Sequence, residues 1–490
     1  MSGVFGFVLL AAVAVGMVAT GLPAFMVVFA CSVAGAAVSL VAGWASPEIY
    51  AALPNRVVNL LESDILQALP LFVFLGALLG RLPVGAALFR AAVAIAPRSR
   101  AAPALAGIGL GALLGPMNGS VGASVLALSR TLAPALSARG VPKPLAAAIV
   151  TVASTLGVVV PPSLVLILLG DAMMAAHTIA VNATGRSDRI INTQDVFRGA
   201  LAPALAFVAL SMGIAWLSAR RIAAEPAAAS HQAPLQAGEA ALAAAALLFV
   251  TGLLAGVALG FFYAVEAAAF GAVALFIAAA ATGRLGGGAL GKLLDEVIAA
   301  TGALFALLVA ATTLTLVLRV LGTDKLVMSL LRAMPGGDGL AAAIVLGILG
   351  ISALVLDAFE IIFVIVPILA PPLLERASDA VWVAVLILLV LQTSFMAPPF
   401  GYALMLVQAT ARDRVPHTAL WRALAPFLAA QAGVLLLVFV WPACVHLLDP
   451  RPAAGAPAPL SDKDVQDRFR AIAPPDEDGP PALNLDPKAP

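Results

Sequence analysis

The sequence predicts an all-α integral membrane protein built from two inverted repeats, each with a re-entrant hairpin and a broken transmembrane helix. Three observations predict it. The chain is 62% hydrophobic and only 11% charged, against roughly 45–50% and about 25% in soluble domains. Its apolar runs recur near the length that crosses a bilayer, about 20 residues. Proline landmarks also repeat at one offset. Leu132-Ala133-Pro134 with Arg139 returns as Leu369-Ala370-Pro371 with Arg376 (371 − 134 = 237), and Pro161-Pro162 returns as Pro398-Pro399 (398 − 161 = 237). Internal symmetry with interrupted apolar segments is a mark of secondary transporters.

The first repeat is read over residues 1–221. Its first spans are 4–20 and 22–44. No basic segment precedes Val4 and a second apolar run follows at once, so two spans read better than a cleaved leader. Runs 66–80 and 101–117 come next. Segment 118–140 follows a Gly/Pro-rich break and is interrupted by Pro134. It reads as a re-entrant hairpin, which is tolerated only where protein or an aqueous cavity covers the freed backbone. Run 145–182 holds Pro161-Pro162; a diproline removes two donors and cannot continue a helix. Two half-helices joined by unwound backbone are therefore expected there. Run 199–219 closes the repeat, and Arg220 and Arg221 place its end in the cytoplasm.

A polar connector, 222–238, leads into the second repeat, 239–449. Its spans are 238–258, 259–282, 297–320 and 338–356, with a hairpin over 357–377 interrupted by Pro367 and Pro371. A broken helix over 379–410 and a last span over 425–447 follow. Ala200-Leu201-Ala202-Pro203 reappears as Ala423-Leu424-Ala425-Pro426 at an offset of 223. The missing 237 − 223 = 14 residues fit a loop around Thr184–Arg189 that only the first half carries. An odd number of crossings per half makes the halves inverted and puts both termini outside. Residues 450–490, rich in Pro, Ala and Asp, read as a disordered tail.

A net charge of +1 gives no argument for nucleic acid. Cys31 and Cys444 both lie in apolar runs, where small packing roles are expected. There is no Walker-type phosphate loop, and His177, His231, His417 and His446 are scattered without metal-ligand spacing. No cofactor is expected, and an enzyme reading is poor.

The candidate chemistry sits at the breaks. In Gly115 to Ser124, small residues let backbones approach closely, while Asn118, Ser120 and Ser124 offer neutral oxygens. Exposed carbonyls and such oxygens suit a dehydrated Na⁺, and half-helix N-termini suit an anionic group. Simple helix packing by small residues is the alternative. Before Pro161, carbonyls near Ser154 to Gly157 lose their donors, and Thr151, Ser154 and Thr155 are polar neighbours. Leu391-Gln392-Thr393-Ser394 through Gly401 is the counterpart. Asp357 and Glu360 are acidic within an apolar stretch, which costs a few kcal/mol at membrane depth and marks functional candidates. Asp357 occupies the position equivalent to Ser120 (357 − 120 = 237); a carboxylate that only caps a helix at interfacial water is the alternative. Glu266 and Asp171 are weaker candidates of the same kind.

These residues resemble a known family. Gly157-Val158-Val159-Val160-Pro161-Pro162-Ser163, and Asp357 with Pro367, Pro371 and Pro398-Pro399-Phe400-Gly401, look like the large membrane subunit of TRAP (tripartite ATP-independent periplasmic) transporters. Ser154-Thr155-Leu156-Gly157 through Asp171, Asp357 through Phe363, and Leu391 through Phe395 resemble its mannitol/chloroaromatic-type branch. The resemblance covers about 1–447. It implies an elevator-type transporter in the bacterial inner membrane, driven by a Na⁺ gradient and importing a small carboxylate. Implied partners are a small four-helix membrane subunit and a periplasmic substrate-binding protein. The implied first Na⁺ site is Asn118, Ser120, Ser124, Ser154 and Gly157. The implied second is Asp357, Thr393, Ser394, Ala397 and Gly401. Substrate would lie between the hairpin tips, at Gly119, Ser120, Thr155, Pro161, Ser163, Glu360 and Pro398. Two departures stand out: Ala397 where the family commonly has threonine, and Asn118-Gly119-Ser120 where it often has Ser-Gly-Ser. A stand-alone Na⁺/anion symporter of related fold, or a non-transporting subunit of a larger membrane complex, are the alternative readings.

Overall fold

The computed structural model describes residues 2–62, 64–96, 99–186, 189–220, 235–335, 337–411 and 415–449. Most of the expected connector (221–234), loop residues 187–188 and the tail from 450 lie outside the described residues. Every regular element among the described residues is helical.

The first half opens with α1 (Ser2–Thr20), α2 (Ala24–Val41), α3 (Pro47–Tyr50), α4 (Leu53–Leu61), α5 (Asp64–Arg81) and α6 (Val84–Ile95). It continues through α7 (Ala102–Leu114), α8 (Val121–Ser137), α9 (Lys143–Val159), α10 (Leu164–Thr184) and α11 (Thr193–Arg220). The second half begins with α12 (Ala237–Ala258), α13 (Ala264–Ala281), α14 (Ala289–Val320) and α15 (Thr323–Ala333). It ends with α16 (Asp338–Ser352), α17 (Ala358–Glu360), α18 (Val366–Arg376), α19 (Ala380–Met396), α20 (Tyr402–Thr410) and α21 (His417–Val440).

The duplication is visible residue by residue. The offset of 237 carries Lys143 to Ala380 and Val159 to Met396, so α9 and α19 coincide end to end (143 + 237 = 380; 159 + 237 = 396). Packing repeats with the halves exchanged. Helix α2 packs on α14 and α13 on α5; α1 packs on α15 and α12 on α6; α8 packs on α20 and α18 on α10. Each pair becomes its partner when the halves are swapped, which is the signature of a pseudo-two-fold. Helices α9 and α19 meet at the centre, flanked by α11 and α21.

Burial separates two kinds of all-round apolar helix, one enclosed by protein and one facing lipid. Almost every residue of α9 and α19 is buried. By contrast, α1, α2 and α12 leave Val15, Val18, Val41 and Leu248 among their exposed apolar side chains, and the described chain is a multi-pass membrane protein with nine helical runs long and apolar enough to cross.

The hairpins differ from the sequence reading. Their turns lie at 115–120 and 353–357, so 118–140 and 357–377 are each one arm rather than a whole hairpin. The other arms are α7 and α16, which the hydropathy presents as independent spans over 101–117 and 338–356. At 1.5 Å per residue, the 13 residues of α7 reach only about 20 Å, short of a ~30 Å hydrocarbon core. Pro134 lies inside α8, and Pro371 and Pro372 lie inside α18, without ending either helix. A π-helical turn over Ile361–Ile365 precedes Pro367, loosening the ladder just where the proline supplies no donor. The amphipathic helices α4, α6 and α15 were not expected from apolar runs. Helix α15 turns Thr323, Val327 and Leu331 inward, at i, i+4 and i+8.

Candidate functional site

The first hairpin turns through a 3₁₀ segment, Gly115–Asn118. Asn118 is buried, and Gly76 of α5 lies flat against it: a Cβ there would fall 3.0 Å from the Asn118 Cα. Gly119 takes φ +77°, a backbone region that favours glycine. The chain then presents Ser120 as an extended N-cap, which accepts the Ala123 N–H at 3.1 Å. Ser124, one turn on, is buried, with its Oγ 3.5 Å from the Gly115 carbonyl. Helix α7 meets α9 backbone to backbone. A Cβ on Gly111 would fall 2.5 Å from Ala153, and Gly157 rests directly on the Gly115 carbonyl. Gly115, Ser124 and Gly157 are thus in contact, and Asn118 and Ser120 belong to the same turn. Ser154 and Thr155 are buried in α9 and donate to the carbonyls of Thr151 (2.8 Å) and Val152 (2.9 Å). Each hydroxyl keeps its acceptor lone pairs.

The second hairpin delivers Asp357 to the N-cap of its descending arm, the place Ser120 holds in the first. The Asp357 N–H donates to Glu360 Oε2 at 3.0 Å. Asp357 Oδ1 is buried and meets no hydrogen-bond partner among the described residues. The carboxyl shares a capping box with the Glu360 backbone N–H, but its Oδ1 has no donor, and a buried carboxyl oxygen without one is costly. Ser394 stands where Gly157 stands in the first half (394 − 157 = 237), and its Oγ donates across to the Gly350 carbonyl of α16 at 3.0 Å. Both broken helices therefore touch a carbonyl of their hairpin's ascending arm at the equivalent residue. Thr393 donates within its own helix, to Leu389 O at 2.6 Å. Gly401 donates its N–H to Ala397 O at 2.8 Å. A Cβ on Gly401 would fall 2.6 Å from the Phe395 carbonyl and 2.8 Å from that of Ala397, so only glycine lets the chain turn back this closely over the break. Ala397 therefore contributes a backbone oxygen and no hydroxyl.

The two breaks have the same backbone plan. Val160 and Ala397 are extended C-caps, and both diprolines have a cis peptide bond. Their surroundings differ. Pro161, Pro162 and Ser163 are buried, and Ser163 caps α10 by accepting the Leu166 N–H at 3.1 Å. Pro398 is half-buried, while Pro399 and Phe400 are exposed. In this conformation the first break is covered and the second is open.

Sequence reasoning missed Tyr402. It begins α20, packs edge-on against Phe395 at 6.1 Å between centroids, and lies near enough to Asp357 and Glu360 to feel both charges. Its hydroxyl also reaches the first hairpin, 3.0 Å from where a Cβ on Gly122 would sit. Tyr402 is thus where the two hairpin tips meet. The repeat gave no signal for it, because the equivalent residue is Val165 (402 − 237 = 165). Gly76, Gly111 and Gly350 were also missed. So was the buried Gln431, which donates from Nε2 to Gln392 Oε1 at 2.9 Å and ties α21 to α19.

Comparison with known proteins agrees with this geometry. The family model of the tripartite ATP-independent periplasmic transporter, DctM component, matches residues 10–444. The chain is 25% identical over 402 residues to the C4-dicarboxylate TRAP transporter large permease protein DctM of Rhodobacter capsulatus, covering 78% of this chain and 86% of that one. Among solved structures, the Alcanivorax borkumensis YdaH transporter shares the fold with a TM-score of 0.55 at 16% identity, covering 82% of this chain and 90% of that one. The family match takes in both hairpins and both diproline breaks, so the chain belongs to the DctM family of TRAP transporters: it is a large membrane subunit, a transporter component and not an enzyme.

Proposed function

We propose that this subunit imports a small carboxylate across the bacterial inner membrane, coupled to Na⁺ and delivered by a periplasmic substrate-binding protein. A small four-helix membrane subunit completes the assembly, and the mannitol/chloroaromatic-type branch is the best fit to the motifs. The observation that carries the coupling is the buried, unpartnered Oδ1 of Asp357 at the tip of the second hairpin. A cation there would satisfy the one carboxyl oxygen that the capping box leaves without a partner. Its binding makes closure of the second tip favourable, and without it closure buries an uncompensated carboxylate. Thr393 and Ser394 would complete this site, and Asn118, Ser120, Ser124, Ser154 and Gly157 the first.

Substrate is held between the tips, against Gly119, Ser120, Glu360 and Pro398. Thr155, Pro161 and Ser163 come into reach when the first break opens in its turn. Each descending arm packs on the other half's broken helix. The two sites are thereby tied into one body, which supports motion of both hairpins together against the α1–α6 and α12–α15 frame. The C4-dicarboxylate named for the Rhodobacter relative supports the substrate class.

The test is uptake of radiolabelled carboxylates into proteoliposomes holding the chain with its two partners, with and without an inward Na⁺ gradient. Accumulation only with the gradient and only with the binding protein is the expected result. Uptake indifferent to Na⁺ sinks the coupling, and uptake without the binding protein points to a stand-alone symporter.

A further inference from the structure

Besides the hairpin tips, the fold contains two clefts at equivalent places, each between a short frame helix and a descending hairpin arm. One, of about 740 Å³, lies between α15 and α18; the other, of about 410 Å³, lies between α6 and α8. The repeat offset relates their walls: Thr131 and Ala135 of the smaller cleft map onto Ile368 and Pro372 of the larger (131 + 237 = 368; 135 + 237 = 372).

Their charges are handled differently. In the smaller cleft, Arg90 pairs with Glu239 and Arg139 lies over the Phe89 ring, 5.1 Å from its centroid. The larger cleft is rimmed by Arg319, Lys325 and Arg332, with Asp324 as its one acidic residue. Arg332 pairs with Glu375 at 2.7 Å. The side chains of Arg319 and Lys325 meet no ion-pair or hydrogen-bond partner among the described residues. The rest of the lining is largely apolar, with Ile179, Met328, Ile368 and Pro371.

We propose that the α15–α18 cleft binds the phosphate headgroup of an anionic phospholipid, with the start of an acyl chain against α18. Three features of the cleft select that class. Two unpaired cations call for an anion, and a guanidinium with an ammonium suits a phosphate. An apolar lining in the same cleft suits a hydrocarbon chain and would be left wet by a small soluble acid. The depth is also right: Arg319 lies in the last turn of α14 and the amphipathic α15 follows at once, the arrangement of a helix at the bilayer interface. The cleft is separate from the transport site. Pro371 lies 371 − 357 = 14 residues down the arm from Asp357, about 20 Å at helical rise. A lipid there wedges between frame and hairpin arm, so its occupancy biases the movement of that arm.

The test is native mass spectrometry and thermal unfolding of the full-length chain in detergent, titrated with phosphatidylglycerol, phosphatidylcholine or inorganic phosphate. Phosphatidylglycerol should remain bound and raise Tm in preference to phosphatidylcholine. The Arg319→Gln/Lys325→Gln double variant should weaken that binding roughly thirty-fold, at about a fivefold contribution per basic residue facing an anionic lipid. Lys292→Gln, which removes an exposed lysine elsewhere on α14, should leave it unchanged. The lipid-free Tm of each variant separates lost binding from lost folding. Equal binding of phosphatidylglycerol to the double variant overturns the proposal. So does stabilisation by inorganic phosphate that phosphatidylglycerol does not exceed, which would assign the cleft to a soluble anion.

Discussion

Asp357 and Ser120 occupy one position in two copies of a hairpin and do different chemistry there. Ser120 spends its oxygen on the Ala123 N–H, so replacing it removes mainly a cap, worth about 1 kcal/mol. Asp357 also caps its helix, in a box with Glu360, but keeps Oδ1 buried and unpartnered. Asp357→Asn preserves shape and removes the charge. The half-saturating Na⁺ concentration for uptake should rise by tenfold or more, and Ser120→Ala should lower Tm by a few degrees with a smaller Na⁺ effect. A Na⁺ titration of proteoliposome uptake decides: an unchanged half-saturation point in Asp357→Asn reduces that carboxylate to a cap. Asp357 was legible in the sequence because an acid inside an apolar run has few structural excuses. Tyr402 was not, because an aromatic residue in a membrane segment is unremarkable until the fold sets it beside Gly122, Asp357 and Glu360.

At the scale of helices, the crossing of α7 and α9 is set by what is missing from it. Gly111 and Gly115 lie where any Cβ would meet the Ala153 or Gly157 backbone, the close approach that small residues allow in membranes. Gly115→Ala should therefore destabilise by about 2 kcal/mol through overpacking, and would displace the carbonyl offered to the proposed first Na⁺ site. Gly213→Ala, on α11 with nothing within 4 Å of its Cβ position, should instead be neutral or stabilising by up to about 1 kcal/mol. Thermal unfolding of the detergent-solubilised chain measures both; equal effects would remove the close-packing argument. The long spans were readable because hydropathy over about 20 residues needs no partner to be meaningful. The hairpin turns were not. Helix α7 is as apolar as a true span, and Pro134 marked a break that the packing around α8 does not make. Helix α15 escaped because its apolar face is too narrow to register as a run, and α6 because its 12 residues, interrupted by Arg90, fall short of a span.

Taken whole, the described helices pair a cross-woven centre with a frame, and the contacts between them are the ones the proposed movement would have to change. The arginine that ends the repeated Leu-Ala-Pro motif makes such a contact in both halves. Arg139 lies over Phe89 of α6, and Arg376 donates to the Leu331 carbonyl of α15 at 2.6 Å. In the second half the neighbouring Glu375 adds an ion pair to Arg332. The open second break and the covered first break belong with this asymmetry, and on the proposed mechanism they mark one of two end states. Fixing α15 to α18 should trap that state. Arg332→Cys and Glu375→Cys, in a background with Cys31 and Cys444 replaced, place two thiols across the boundary for a short bifunctional thiol reagent. Cross-linking should abolish Na⁺-driven uptake, and reductive release of a cleavable linker should restore it. Na⁺ should still protect introduced cysteines near Asp357 from modification in the cross-linked protein if, as proposed, it binds at the tip before the arm moves. Full transport by a quantitatively cross-linked protein would show that the hairpin stays put against α15 while substrate crosses, and the moving-body mechanism would fall.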